Sequence, residues 1–384
     1  MTRLLILLAI VGTLISCAVR PPQSPQPPVA VPSPVPPAPP ASSAPTDAPT
    51  GPVLQQAKSR WTPARWSDLP GWSADAPHEA WNAWVKSCER PTTALAQLCP
   101  EVRRLRLATA DEQRAWMVRR LQPYKVEPLN GTAVEGLLTG YYEPVLTATR
   151  QPSAANAAAL YQPPASLNSR KPWYSRKDID TLPEAKAALQ GRAIAYLSDP
   201  VDVLVLQIQG SGRLRITEAD GSQKMIRVAF AGTNEQPYKS VGRYLLDLGL
   251  IKDASWPGIK AWIVANPQRT NELLWSNPRV VFFKEESLQG VDAALGPKGA
   301  QGVALTAGRS IAVDPGSLPY GTPVWMASTG PVTTLQRLVL AQDTGSAIVG
   351  AVRADYFAGS GLEAGEMAGR LKQPLQLWAL WPRP

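Results

Sequence analysis

Ser310-Ile-Ala-Val-Asp314-Pro-Gly, Val339-Leu-Ala-Gln-Asp343-Thr-Gly-Ser-Ala-Ile-Val-Gly350 and Arg353-Ala-Asp355-Tyr-Phe lie within one stretch near the C-terminus. Each aspartate sits at or near the end of a short apolar run bounded by Gly or Pro, the pattern of a buried strand. A carboxylate at such a place costs free energy unless it is hydrogen-bonded, paired or kept protonated. Asp-Pro-Gly and Asp-Thr-Gly are turn formers, which gives Asp314 and Asp343 a structural reading. Asp355 has no glycine or proline beside it. It is the first candidate for chemistry.

Working outward, the chain has 384 residues, room for about two domains. Its formal charge of +9 suits an anionic polymer or membrane surface, but the basic residues are not clustered as in a nucleic-acid binder. A single histidine and three cysteines argue against a histidine-rich metal site and against a Ser-His-Asp triad drawn from several histidines. No metal and no cofactor is expected. Acid–base work falls to carboxylates.

Residues 1–16 read as an export signal, with Arg3 ahead of an apolar core from Leu4 to Leu14 too short to span a membrane comfortably. Leu14-Ile15-Ser16-Cys17 resembles a bacterial lipobox, which implies cleavage before Cys17 and a lipid on it. Ala18, in place of an aspartate, implies the outer membrane. Pro21 to Pro52 holds 14 prolines, an extended tether that reaches on the order of 100 Å at ~3.1 Å per residue. Trp66 to Gln122 is helical in pattern, with Thr109-Ala-Asp-Glu112 as a capping box. With Cys17 lipidated, Cys88 and Cys99 remain, and export favours a disulfide between them over reduced buried thiols.

Leu138-Thr-Gly-Tyr141-Tyr142-Glu-Pro reads as a strand that sends its two tyrosines to opposite faces. Val201 to Gln209 reads as another strand, with Gln207 and Gln209 on one face. A hairpin at Asp220-Gly221 follows, then helices between Ser240 and Leu274, and a strand over Val280 to Lys284 that returns toward the first unit.

Taken together, the motifs around Thr139 to Pro144, Gln207 to Arg213, Gly232-Thr-Asn, Ala312 to Pro315, Gln342 to Gly345 and Arg353 to Phe357 resemble the membrane-bound lytic murein transglycosylase A family. The resemblance runs in consistent order from about Trp61 to the C-terminus. The last part resembles the three-aspartate domain, at Asp314, Asp343 and Asp355. It implies a mainly β, α+β fold. A double-psi β-barrel is expected from residues 57–144 plus 283–384, with an inserted β domain at 145–282 across a groove and a lipidated linker at 17–56. It implies cleavage of the β-1,4 bond between N-acetylmuramic acid and N-acetylglucosamine, leaving a 1,6-anhydro sugar. It casts Asp355 as general acid/base with Asp343 close by, and leaves Asp314 as a structural aspartate. Thr139, Tyr141, Tyr142, Gln207, Gln209 and Lys284 are the expected glycan contacts. Ser346 and Val349 stand where many relatives carry glycine and lysine.

A lytic cleavage needs one carboxylic acid, because the sugar's own C6 hydroxyl is the nucleophile. Asp355 must then start protonated, through poor solvation or repulsion from Asp343. The expected partners are glycan strands and, through the lipid, the outer membrane on its periplasmic side. A monomer is expected, with no nucleic acid, and a cell-wall synthase complex is left open. Two other readings stand beside this one: a non-catalytic wall-binding lipoprotein, and an aspartic protease suggested by Asp343-Thr-Gly, for which the chain lacks a second such loop.

Overall fold

A computed structural model describes residues 49, 51–131 and 135–383. The signal segment, Cys17 and the proline-rich stretch up to residue 48 lie outside the described residues. Four strands come first: β1 (Leu54–Gln55), β2 (Arg60–Pro63), β3 (Leu121–Glu127) and β4 (Gly136–Glu143). The chain then builds another sheet from β5 (Val145–Thr149), β6 (Ala158–Tyr161), β7 (Ala193–Leu197), β8 (Ser211–Thr217), β9 (Gln223–Thr233) and β10 (Val281–Ser287). It returns to the first sheet with β11 (Ser310–Val313), β12 (Pro323–Thr329), β13 (Thr334–Asp343), β14 (Arg353–Ser360) and β15 (Lys372–Pro382).

The first sheet runs β1-β2-β3-β15-β12-β13-β11-β14-β4, and β15 also pairs with β4. Lys372 to Leu375 of β15 lie opposite β4, while its later residues lie opposite β12 and β3. β4, β14, β11, β13, β12 and β15 therefore close into a ring, which leaves those six strands no free edge. Two of its pairings, β11 with β13 and β14 with β4, are parallel. Leu138, Ile311, Val339, Ala354, Tyr356 and Leu377 are buried together in its core. Side chains alternate along a strand, so Thr139 and Asp355, each next to one of these, face the other way.

The second sheet runs β10-β9-β8-β5-β7-β6, with β6 and β10 approaching each other at its ends. The expected strand over Val201 to Gln209 is a helix, Pro200–Gln209. Its alternating β-branched residues mimic a strand, but they are buried on two sides. Val203 and Leu206 pack on the sheet, and Leu204 packs on a helical cluster with Leu245 and Trp262. The local signals are helical. Asp199 accepts the Val201 N–H through its side chain, Pro200 takes the first position, and Gly210 ends the helix at φ +80°.

Before the ring, the helices Pro77–Ser87 and Ala110–Arg120 meet through Trp81, Trp84 and Trp116, whose ring centroids lie 5.2–5.7 Å apart. Thr109 and Glu112 form the capping box in both directions. Cys88 and Cys99 are joined by a disulfide. Closing this short loop restricts the unfolded chain, and the Cys88→Ala/Cys99→Ala variant is expected to lose about 2–3 kcal/mol in urea unfolding. A loss below about 0.5 kcal/mol would show the crosslink to be dispensable. Among the described residues no helix is long and apolar enough to cross a membrane.

Candidate active site

Strand register brings the acidic residues together. Asp355 on β14 stands opposite Thr139 on β4 and Ala312 on β11, and Ala312 stands opposite Asp343, the last residue of β13. One level of the ring thus carries both carboxyls, although they come from strands that a glycine-rich turn separates. Two residues further along β4 and β14, Tyr141 packs on Phe357 with ring centroids 5.3 Å apart. Gly140 lies between Thr139 and Tyr141 because the helix Leu362–Arg370 presses on β4 there: a Cβ at Gly140 would come 2.7 Å from the Ala368 Cα.

Asp355 is half-buried and opens into a cleft of about 320 Å³. One wall comes from the ring: Thr344 to Ile348, Arg353 and Asp355. The other comes from the second sheet and its helices, including Gln207, Gln209, Phe230, Asn277 and Arg279. Burial raises the Asp355 carboxyl above the ordinary range, against the opposing pull of the Thr139 hydroxyl and Arg353. Thr139 donates to Asp355 Oδ1 at 2.5 Å, while Arg353 Nη2 donates to the same Thr139 oxygen at 2.8 Å. The Arg353 guanidinium also donates to the Ala354 and Leu137 carbonyls, not to the carboxylate. No ion pair neutralises Asp355 among the described residues.

Asp343 is held differently. Its Oδ1 accepts the Ala300 and Thr344 N–H groups, both at 2.9 Å, and its Oδ2 accepts the Tyr141 hydroxyl at 2.9 Å. Burial still pushes it up to about 6, helped by the Asp355 charge and opposed by those three hydrogen bonds. It does not line the cleft. Burial is the leading cause of the rise at both carboxyls, which also repel one another. Half-buried Tyr141 is raised well above the usual phenol range, first by desolvation and then by Asp343.

The raised Asp343 has a consequence for stability. Between its unfolded value of 3.8 and about 6 the folded chain binds more protons than the unfolded one, so its contribution is lost as pH rises. The loss is about 3 kcal/mol across that window. Asp343→Asn is expected to shrink the fall in urea-unfolding stability between pH 4 and pH 7.5. An unchanged fall would put the shift elsewhere.

The remaining expected contacts divide. Gln207 and Gln209, in the last turn of the helix Pro200–Gln209, both line the cleft. The Gln207 oxygen accepts from Arg176 Nη2 at 2.6 Å, and the Gln209 oxygen accepts the Tyr142 backbone N–H at 3.0 Å. Each oxygen is engaged, which leaves the amide NH₂ groups as the donors to offer. Tyr142 faces away, into a separate cavity of about 600 Å³ with Trp256 and Lys260. Lys284 does not line the cleft and pairs with Glu286 at 2.8 Å. Ser346 lines the cleft, whereas Val349 does not. Asp314 is buried beside a turn. Burial opposes its charge, but the Gly350 and Gly316 N–H groups and Lys58 bring it below the ordinary range.

The family profile of the MltA specific insert domain matches residues 137–284, and that of the 3D domain matches residues 309–381. Lytic transglycosylase LtgG of Burkholderia pseudomallei is 41% identical, with 88% of this chain and 99% of that chain covered and a TM-score of 0.59. The chain belongs to the membrane-bound lytic murein transglycosylase A family. MltA from Neisseria gonorrhoeae is 30% identical over 88% of this chain and 100% of its own, with a TM-score of 0.70. Membrane-bound lytic murein transglycosylase A of Vibrio cholerae is 32% identical over 256 residues. That match spans 64% of this chain and 65% of the relative, just under two thirds of its length.

Within this MltA-family cleft, several side chains escape a motif reading. Arg176 is buried, donates to the Asn277 and Arg279 carbonyls, and holds Gln207 from another part of the chain. Asn277 and Arg279 line the wall without any local pattern to mark them. Arg353 was visible, two residues before Asp355 in the same strand and so on its face.

Proposed function

We propose that the chain is a peptidoglycan lytic transglycosylase, cleaving the β-1,4 bond between N-acetylmuramic acid and N-acetylglucosamine with formation of the 1,6-anhydro product. The observation that carries this reading is that Asp355 is the only carboxyl among the described residues lining the cleft, and burial holds it toward its protonated form. A hydrolytic glycosidase needs two carboxyls flanking the bond. Here the second one, Asp343, is turned to Tyr141 and backbone N–H groups.

In this mechanism Asp355 gives its proton to the glycosidic oxygen as the bond to the anomeric carbon breaks. The ionised carboxylate then takes the proton of the C6 hydroxyl as O6 bonds to that carbon. The proton count balances and Asp355 is restored. Holding the hydroxyl close supplies much of the rate, since well-placed intramolecular nucleophiles reach effective molarities of about 10⁵–10⁸ M. Thr139, its hydroxyl already accepting from Arg353, stabilises the intermediate carboxylate. The amides of Gln207 and Gln209 are placed to donate to sugar oxygens, with Tyr141 as part of the supporting wall.

The closed ring is read as the double-psi barrel, and residues 145–282 as the inserted domain that forms the opposite wall. Asp314 serves as a structural tie. Cys17 carries the lipid that anchors a monomer to the outer membrane, facing the periplasm. Incubation with purified sacculi and mass analysis of the products tests the chemistry. Anhydro-muropeptides support it; reducing ends or no release overturn it.

A further inference from the structure

A cavity of about 550 Å³ opens beside the catalytic cleft, lined by Lys86, Arg213, Leu295, Thr306, Phe357 and Ser360 among others. The two spaces share one strand. Arg353 and Asp355 line the cleft, while Phe357, Gly359 and Ser360 line the cavity. Arg353, Asp355 and Phe357 follow one another at alternate positions of β14, an irregularity in the pairing with β4 falls between Phe357 and Ser360, and Gly359 lies within about 13 Å of Asp355 along the strand. A polymer laid over Asp355 in the direction of the strand therefore reaches the cavity.

The cations of the cavity are not equivalent. Arg213 is fully engaged, through Nε with Glu143 and through its two other nitrogens with the Ala293 and Leu295 carbonyls. Lys86, in the last turn of the helix Pro77–Ser87, has one hydrogen-bond contact, a long one of 3.4 Å to the Thr306 hydroxyl. No carboxylate among the described residues lies within ion-pairing distance of it, although Glu89 contributes to its field from further away. Burial already works against its charge, pulling it below the usual lysine range. An ammonium that is partly desolvated and lacks a counter-charge favours an anion in the space it faces.

We propose that this cavity is a carboxylate-binding subsite of the cleft, in which Lys86 receives an acidic group carried on the muramic-acid side branch of the bound strand. The inference rests on the proposed substrate. Two sources supply the same chemistry: a carboxylate of the stem peptide, and the lactyl carboxylate left when the peptide is removed. Lys86 also suits a helix C-terminus, where a cation complements the helix dipole. That role alone predicts lower stability without any preference among ligands.

The test measures affinity by calorimetry in an Asp355→Asn background, so that nothing is turned over. The probes are peptide-bearing strands, amidase-denuded strands with free lactyl carboxylates, and the neutral hexamer of N-acetylglucosamine. Lys86→Met is expected to raise Kd for an acidic probe about tenfold relative to the neutral hexamer, and Lys86→Arg to restore most of the difference. A preference lost for peptide-bearing strands alone places the stem peptide in the cavity; one lost for denuded strands places the lactyl group there. Equal changes for all three probes, or none, overturn the inference while leaving sacculus cleavage by the unaltered enzyme intact. Failure of that cleavage instead overturns the function on which it rests.

Discussion

Asp355→Asn is expected to lower turnover of sacculi by about 10³-fold or more, while the Kd for glycan strands stays within a few-fold of the parent. General acid–base catalysis by one placed group is worth about 10²–10⁴-fold, and here one group serves in both steps. Asparagine has nearly the shape of the protonated acid and carries no charge, so it fits the half-buried site that already disfavours a carboxylate. It can still accept from Thr139, which preserves the contact across β4 and β14. It cannot release a proton to the leaving oxygen or collect one from the C6 hydroxyl. Activity also requires the protonated acid, so kcat/KM should fall on the alkaline side through a pKa above the ordinary carboxylate range. Turnover within tenfold of the parent would remove Asp355 from the chemistry.

Glu143→Gln is expected to destabilise the chain by about 3–5 kcal/mol, because it leaves buried guanidinium groups without their counter-charge. Glu143 is fully buried. Arg213 and Arg227 donate to it through Nε, each at 2.6 Å, and the Ser360 hydroxyl donates at 2.7 Å. Arg227 is itself almost entirely buried. Both arginines also hold the Leu295 carbonyl, on the segment that returns from β10 toward β11. The cluster thus fastens both passages between the sheets: the step from β4 into β5 and the way back. An apparent Tm lower by roughly 10 °C is the matching thermal result. A Glu143→Met/Arg227→Met double variant should lose less than the single one, since only the more exposed Arg213 is then left without its counter-charge. A Glu143→Gln variant as stable as the parent would show that water or movement relieves the arginines.

Much of this was legible in local pattern, and the rest was not for identifiable reasons. The apolar runs before Asp314 and Asp343 and around Asp355 announce strands, and Thr109 with Glu112 announces a helix start; both signals depend on neighbours in sequence. Val201 to Gln209 misleads because its β-branched residues are buried on two sides, so no polar face reveals the helical period. Lys284 pairs with Glu286, two residues along the same strand and so a partner that alternation offers, but nothing local tells that the pair lies away from the cleft. Arg176 could not have been found. Its importance comes from reaching Gln207 across the fold, a contact that only the packed chain creates.

The ring has an implication for how the protein is made. β4 lies early in the chain, but its partners β14 and β15 come more than two hundred residues later, and β15 ends at Pro382. A nascent chain emerging N-terminus first cannot complete the ring, or the setting of its cleft acid, until the residues of β15 have been added. Such distant pairings make assembly slow. The acid that defines the cleft therefore stays unassembled in every nascent chain that stops short of β15.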